Sequence, residues 1–597
     1  MTNAEMLKRR VLCAKGKIMF DKVFYNARLI NVYTEQIIQN AVVCVLDGVI
    51  VSVCPTFEPM AKEKIDCRGM YLAPSFIDAH MHIESSHLTP AAYCEGAVPH
   101  GTGAIFYDPM QIANAAGEVG LKSFVKMFEG LPLKSFLQFP SRVPAAEGME
   151  TACANFTPND TYRIMKTLDA KTLGEVNADD LENERTLEKI IAAQKIGVAV
   201  NGHCPALDYN SLCCAAAVGI RDDHESETYE ELYERLSLGL AVFIREGTIE
   251  PNCETLIKGV VENNLPIDSL MFCTDDKSPA DIVKNGCIDN CIRIALKCKM
   301  PLCKAIKMAT LNPARHYGID NKIGSVTSGR EANFILFEDE STLNIKAVYF
   351  GGDLVARDGK LIKKYSSDYE KEYKNLLFTV KISDKLNEND LSPKLPKEKC
   401  KFDATVMKMR ENSLMTEKII ATLTSENGLV KADIQKDILP ITVIERFGKN
   451  GNIGHGFING LGIKCGAIAA STAQEGNNLV VSGVNYSDML CAVKEVEKIG
   501  GGVVICIDGK IISEHIYSLG GILGVGTIEE EIAFSEKLSL ALKLTGSKND
   551  KLLSSLIVST CPSIPDIALT DMGVIDVKSQ KFIPCIQNIQ SIAEDKI

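Results

Sequence analysis

Short apolar runs broken by turn residues fill the chain from Val23 to Arg68. VFYNARLINVY and AVVCVLDGVIVSVC are β-rich runs broken by turn signals, the second around a turn at Asp47-Gly48, which is how strands of a small sheet read. From Gly69 to about Asn321 the rhythm changes. Apolar strands such as GTGAIFYDP, KSFLQFPS and KIGVAVNGHCP alternate with helical stretches such as PLCKAIKMATLNPARHYGI, and this alternation builds βα units around a parallel sheet. The span is about 250 residues, the usual size of a (β/α)8 barrel. β character returns in KIGSVTSGREANFILFE and AVYFGGDLVARDGKLI, with a turn at Gly351-Gly352. The simplest arrangement has these strands complete the first sheet.

A polar stretch, VKISDKLNENDLSPKLPKEKCKFD, then reads as a linker. Beyond it, strands (KIIATLTS, NNLVVSGVN, GGVVICIDGKIISEH) alternate with helices (YSDMLCAVKEVEKI, IEEEIAFSEKLSLALKLTG). The pattern predicts an α/β chain in three units. A small flanking β domain comes from 1–68 and 322–375, and a (β/α)8 TIM-like barrel spans 69–321. A linker at 376–403 leads to a C-terminal α/β or α+β domain at 404–597.

Composition narrows the function. The 597 residues carry a net charge of −12, so nucleic acid and anionic membrane are poor partners, because phosphate affinity rests on Lys and Arg. No apolar stretch reaches about 18 residues, and the N-terminus lacks an apolar signal core, so a cytoplasmic location is expected. The 21 cysteines, odd in number, read as reduced thiols used as small hydrophobes. Without paired C-x2-C knuckles, a structural zinc site is not expected.

The nine histidines are more informative. In Ala73-Pro-Ser-Phe-Ile-Asp78-Ala-His80-Met-His82-Ile-Glu84, His80 and His82 stand two apart at the end of an apolar strand and project to one face, where they can chelate one divalent ion. Further polar groups close later apolar runs: Glu175 in LGE, His203 in GHCP, His224-Glu225 in DHE and Asp275 in TDD. In a parallel barrel such strand ends open on the C-terminal face, where active sites sit. Taken singly each has a bland reading. Glu175 could be a solvated carboxylate, His203 or His224 a hydrogen-bonded structural histidine, and Asp275 the cap of the next helix. Their order along the chain favours convergence on one or two metal ions. His87, His100, His316, His455 and His515 read as local or structural.

PSFIDAHMHIESS, followed by these glutamate, histidine and aspartate stations, resembles the amidohydrolase superfamily, and the continuation ESSHLTP resembles its adenine deaminase branch. The likeness runs through Phe139-Pro-Ser-Arg-Val-Pro144, Arg245-Glu246-Gly247, Ala309-Thr-Leu-Asn-Pro-Ala314 and Leu569-Thr-Asp571. It implies that His80, His82 and Asp275 hold one metal, that His203 and His224 hold a second, and that Glu175 bridges them. Mn or Fe(II) is favoured, with Zn a third candidate. The implied reaction is hydrolysis of adenine to hypoxanthine and ammonia by a metal-activated hydroxide, with Asp275 shuttling the proton and Glu225 or Glu84 protonating the ring. The partner is then a small purine base, and the chain is expected to be a homo-oligomer, taken as a dimer.

Two rivals accompany this reading: a deaminase of another 6-substituted purine such as N6-methyladenine, and a catalytically impaired purine-binding paralogue. Cyclic-amide hydrolysis is disfavoured, because it commonly bridges its metals with a modified lysine and not a glutamate. The second type of zinc deaminase uses H-x-E with P-C-x-x-C, and only the first half occurs here, as His82-Ile-Glu84. The chain also departs from the family pattern. Ser278, Cys287, Phe447, Gln474 and Asn477 stand where the family carries imidazoles.

Overall fold

The computed structural model describes residues 2–410, 415–563 and 565–591. At its centre five strands, Phe76–Met81, Thr102–Tyr107, Lys134–Phe139, Thr172–Asn177 and Ala199–His203, pair in sequence order, all parallel. Asp222–Asp223, Ala241–Arg245 and Leu270–Cys273 form a second parallel run. Parallel bridges from Val200 to Ile220 and from Met81 to Asp275 join the runs at both seams, closing an eight-stranded ring. The expected barrel is therefore present. Every residue of the first two strands is buried, because a parallel strand is covered on both faces and so reads as a continuous apolar run.

Local chemistry sets the helix ends. The barrel helices Pro158–Thr167, Glu184–Ile196, Tyr209–Val218 and Tyr229–Ser237 start behind Thr157, Asn183, Asp208 and Thr228, whose side chains accept a first-turn N–H. At the closing seam the carboxylate of Asp78 accepts from the Thr274 N–H at 3.0 Å and from its hydroxyl at 2.5 Å. Asp275 donates its N–H to the His80 carbonyl at 3.0 Å and accepts from the His82 N–H at 2.7 Å. The first and last strands are thus pinned together beside the H-x-H pair.

Tyr71–Pro74 pairs parallel with Phe20–Asn31 and antiparallel with Phe334–Phe337. N-terminal and mid-chain strands therefore share one nine-stranded sheet. A helix over Asn3–Ala14 precedes it, closed by a capping box between Thr2 and Glu5, which the strand-rich reading of the N-terminus did not include. The C-terminal unit is built on a ten-stranded sheet whose pairs are antiparallel except Cys400–Met409 with Ile453–Asn459. Helices Tyr486–Lys498, Ile528–Leu544 and Leu552–Val558 accompany it, so of the two expected classes it is α+β.

The stretch read as a linker is not a free spacer. Val380, Leu386 and Leu391 are buried with Met489 and Val493 of the helix Tyr486–Lys498, and the Lys381 N–H donates to the Arg446 carbonyl at 2.8 Å. Most of its polar residues are exposed, while Val380, Leu386, Leu391, Cys400 and Phe402 are buried. No helix among the described residues is long and apolar enough to cross a membrane.

Candidate metal centre

The strand ends bring the expected residues together. His80 is the penultimate residue of the first strand and His82 lies one residue beyond its end, Glu175 lies in the fourth strand, His203 ends the fifth, and His224 and Asp275 follow the sixth and eighth. The ligand atoms of His80, His82, Glu175 and Asp275 all lie within 4.8 Å of one another, as do those of Glu175, His203 and His224, and those of His224, Glu225 and Asp275. Glu175 belongs to the first two groups. Its Oε1 faces His82 Nε2 at 2.9 Å, His80 Nε2 at 3.0 Å and His224 Nε2 at 3.4 Å.

The histidines are oriented from behind. His80 gives its Nδ1–H to Gln138 Oε1 at 2.7 Å, and His82 gives its own to the Asp108 carbonyl at 2.8 Å. The Gln138 amide nitrogen meets only acceptors, the Ala79 carbonyl, Asn201 Oδ1 and the Tyr317 hydroxyl, which directs its oxygen to His80. With Nδ1 spoken for, each ring turns the Nε2 lone pair into the centre, as metal-ligating imidazoles do. His203 Nδ1 is buried without a hydrogen-bond partner, and His224 Nε2 has only carboxylate oxygens near it, Glu225 Oε1 at 3.0 Å and Glu175 Oε1 at 3.4 Å, neither aligned as a hydrogen bond. One carboxylate oxygen cannot satisfy three imidazole nitrogens, whereas a divalent cation takes such imidazole and carboxylate donors together. The donor set fits a divalent metal site.

The carboxylates divide by environment. Burial alone would raise Glu175, but His82 and Arg142 hold it well below the usual range. Burial likewise opposes charge on Asp275, and Arg245, His224 and His82 keep its pKa low. Arg245 Nη1 stands 2.8 Å from Asp275 Oδ2 and 2.9 Å from Glu225 Oε1. By contrast burial pushes Glu84 up to about 7 and Asp108 well above its ordinary value. The groups facing the imidazoles are the ionised ones, which is what cation ligands require.

Glu225 lies inside the centre, 3.0 Å from His224 Nε2 and 3.6 Å from His203 Nδ1. Glu84 sits in the turn Ile83–Ser86 with Oε1 on the Ile112 N–H, and it belongs to none of the three ligand groups. Asp275 is not a helix cap. Ser278 takes that place, accepting from the Asp281 N–H. Of the DDH run only His224 enters the centre: Asp222 binds His316 and Asn201, and Asp223 pairs with buried Arg235.

Besides Gln138 and Arg245, three participants went unassigned in the sequence. Asp108 ends the apolar run GTGAIFYDP in the same way as the assigned residues and was legible by that rule. Its carboxylate packs on Gly174, where a Cβ would stand 2.1 Å from Oδ2, so the glycine of LGE is a requirement of close approach. Arg142, in the Pro-Ser-Arg-Val-Pro motif after the third strand, donates to Glu175 Oε2 at 2.5 Å. Glu475, from the C-terminal domain, holds Arg142 in turn at 2.8 Å.

A closed parallel barrel with this histidine and carboxylate set at its C-terminal mouth defines an amidohydrolase-type enzyme. Residues 71–355 match the amidohydrolase family and residues 413–581 match the adenine deaminase C-terminal domain. The chain is 34% identical to a protein of Desulforamulus reducens named adenine deaminase, over 97% of this chain and 98% of that one. Similar proteins of the same name occur in Listeria innocua, at 32% identity over 98% and 99% of the two chains, and in Clostridium acetobutylicum, at 32% over 94% and 97%. The chain belongs to the adenine deaminase family.

Proposed function

We propose that the protein hydrolyses adenine to hypoxanthine and ammonia at the barrel mouth. The observation that carries this reading is the convergence of His80, His82, Glu175, His203, His224 and Asp275 within a chain that matches its family from end to end. His80, His82 and Asp275 would hold one divalent ion, His203 and His224 a second, with Glu175 between them. Such ions supply a nucleophile at neutral pH by lowering the pKa of water from 15.7 towards about 7. The imidazole and carboxylate donors suit Mn, Fe(II) and Zn alike. Without a thiolate among them, we favour Mn or Fe(II).

In the overall reaction water adds at C6, the exocyclic C–N bond breaks, and the amino nitrogen leaves as ammonia with one proton of the water while the other ends on the adjacent ring nitrogen of hypoxanthine. Asp275 is the side chain we assign to moving the proton that reaches the ammonia. Its Oδ2 is fixed by Arg245 at 2.8 Å and its backbone by the barrel seam, so the carboxylate holds one position through the cycle. Glu225, across the same guanidinium at 2.9 Å, is assigned to the ring nitrogen. Glu84 lies behind and supports the His82 turn. A reducing cytoplasm suits the 21 free cysteines.

With metal supplied, adenine is expected to yield hypoxanthine and ammonia in equal amounts, read by chromatography and an ammonia assay. Faster release of methylamine from N6-methyladenine would transfer the assignment to that substrate, and no release from either would favour a binding protein.

A further inference from the structure

A buried relay of side chains links the C-terminal domain to the metal centre. Arg142 Nη2 donates to Glu175 Oε2 at 2.5 Å, and Arg142 Nη1 donates to Glu475 Oε1 at 2.8 Å and to Ser563 Oγ at 3.3 Å. Ser563 Oγ in turn donates to Glu475 Oε2 at 2.7 Å. Arg142, Glu175 and Glu475 are each more than nine-tenths buried, with 9%, 3% and 2% of their surface exposed. One guanidinium therefore stands between a carboxylate of the barrel and one of the C-terminal domain.

Both ends of the relay are locked. The loop after Arg142 is gripped from the C-terminal side: the Thr151 N–H donates to Asp571 Oδ1 at 2.8 Å, Asn478 Nδ2 donates to the Thr151 carbonyl at 2.8 Å, and Lys449 Nζ donates to the Ala152 carbonyl at 2.8 Å. Beside Glu475 the backbone of Gly476 meets Glu150 so closely that a Cβ would lie 1.9 Å from its Oε2. Glu475 itself has a φ of +63°, a conformation costly for a side chain of this kind and kept only where its surroundings enforce it.

We infer that Glu475 is a positioning residue for the metal centre, acting through Arg142 on Glu175. It has two effects. By occupying Nη1 it turns Nη2 onto Glu175 Oε2, which leaves Oε1 facing the imidazoles. By cancelling the guanidinium charge it lets a buried cation of fixed charge stand beside a site meant for divalent ions. The C-terminal domain is thereby part of the centre and not an appendage. This rests on the metal reading above.

The test is a competition titration of metal-free protein with Mn(II) against a chelator, comparing Glu475→Gln with the unaltered chain. The weaker Mn(II) equivalent is expected to bind at least about tenfold less tightly in the variant, the scale on which groups supporting metal ligands act. In an Arg142→Met background the same change is expected to shift affinity less than twofold. An affinity within twofold of the unaltered chain, or an equal loss in the Arg142→Met background, would overturn the inference. A purely structural role would lower the melting temperature and leave the affinity of folded protein unmoved. Should Glu475→Gln not fold, Ser563→Ala, which removes only the hydroxyl steering the carboxylate, replaces it: a threefold or greater weakening supports the relay, and no change overturns it. If the unaltered chain binds no Mn(II), the metal reading itself fails; if it binds two equivalents and the variant matches it, only the relay fails.

Discussion

Replacing Asp275 with asparagine is expected to lower kcat for adenine by about 10³-fold while the protein stays folded. General acid–base groups contribute about 10²–10⁴ in rate, and at 1.36 kcal/mol per decade the loss corresponds to about 4 kcal/mol of barrier. Asparagine keeps the volume and the backbone bonds to His80 and His82 that close the barrel. What it removes is the ability to take a proton and the charge with which Asp275 would help hold a divalent ion. The seam survives because Asp78 still holds Thr274, and Arg245 keeps Glu225, Asp276 and Glu250 as partners at 2.9–3.1 Å. Steady-state kinetics with a melting curve decide the matter. A loss below tenfold, with metal content intact, would remove Asp275 from the proton path.

Glu175→Gln is expected to cost at least one equivalent of bound metal and about 10³-fold or more in activity. Glu175 Oε1 is the point on which three imidazole nitrogens converge, at 2.9, 3.0 and 3.4 Å. An amide there offers either an oxygen without charge or an N–H pointed at lone pairs. Arg142 would also lose one of its two carboxylate partners while keeping Glu475 at 2.8 Å, so the side chain at 175 would no longer be anchored by a hydrogen bond between two charged groups. The side chains are nearly isosteric, which limits the effect on packing. Metal per folded chain, measured by mass spectrometry of the ion content, reports the result. Full metal together with more than a tenth of the activity would contradict the bridging assignment.

Much of this centre could be read from the chain because its residues follow a local rule. A parallel barrel strand is apolar over most of its length, so polar side chains at or just beyond its C-terminal end mark the mouth; His80, His203, Asp275 and the overlooked Asp108 all lie there. The expected β domain was legible because both of its segments are short β-rich runs bounded by turn signals such as Asp47-Gly48 and Gly351-Gly352. What the pattern could not carry was contact between distant segments. Arg142 and Glu475 stand 333 positions apart, and nothing in either neighbourhood encodes the other. The anchoring of 376–403 was hidden because its buried apolar residues are diluted among charged ones.

The departures from the family pattern now separate by position. Ser278 is a helix cap, and Cys287 is buried with its sulfur 3.9 Å from the Tyr93 hydroxyl. Phe447 lies beside the Arg446 guanidinium, whose centre is 5.2 Å from the ring. None of these three is among the ligand groups. Gln474 and Asn477 flank Glu475, and Asn477 donates to the Gln111 carbonyl of the barrel at 3.3 Å. That segment is the one place where the altered residues border the centre, and there it carries a carboxylate that the barrel uses.

The most direct measurement is a titration of metal-free protein with Mn(II) or Fe(II) in the presence of adenine, following ammonia release as metal is added. Activity is expected to be absent without metal, to rise with occupancy, and to saturate near two ions per chain with hypoxanthine as the purine product. Ammonia release that is undiminished after metal removal, or full occupancy with no ammonia released, would contradict a metal-dependent adenine deaminase centre at the barrel mouth.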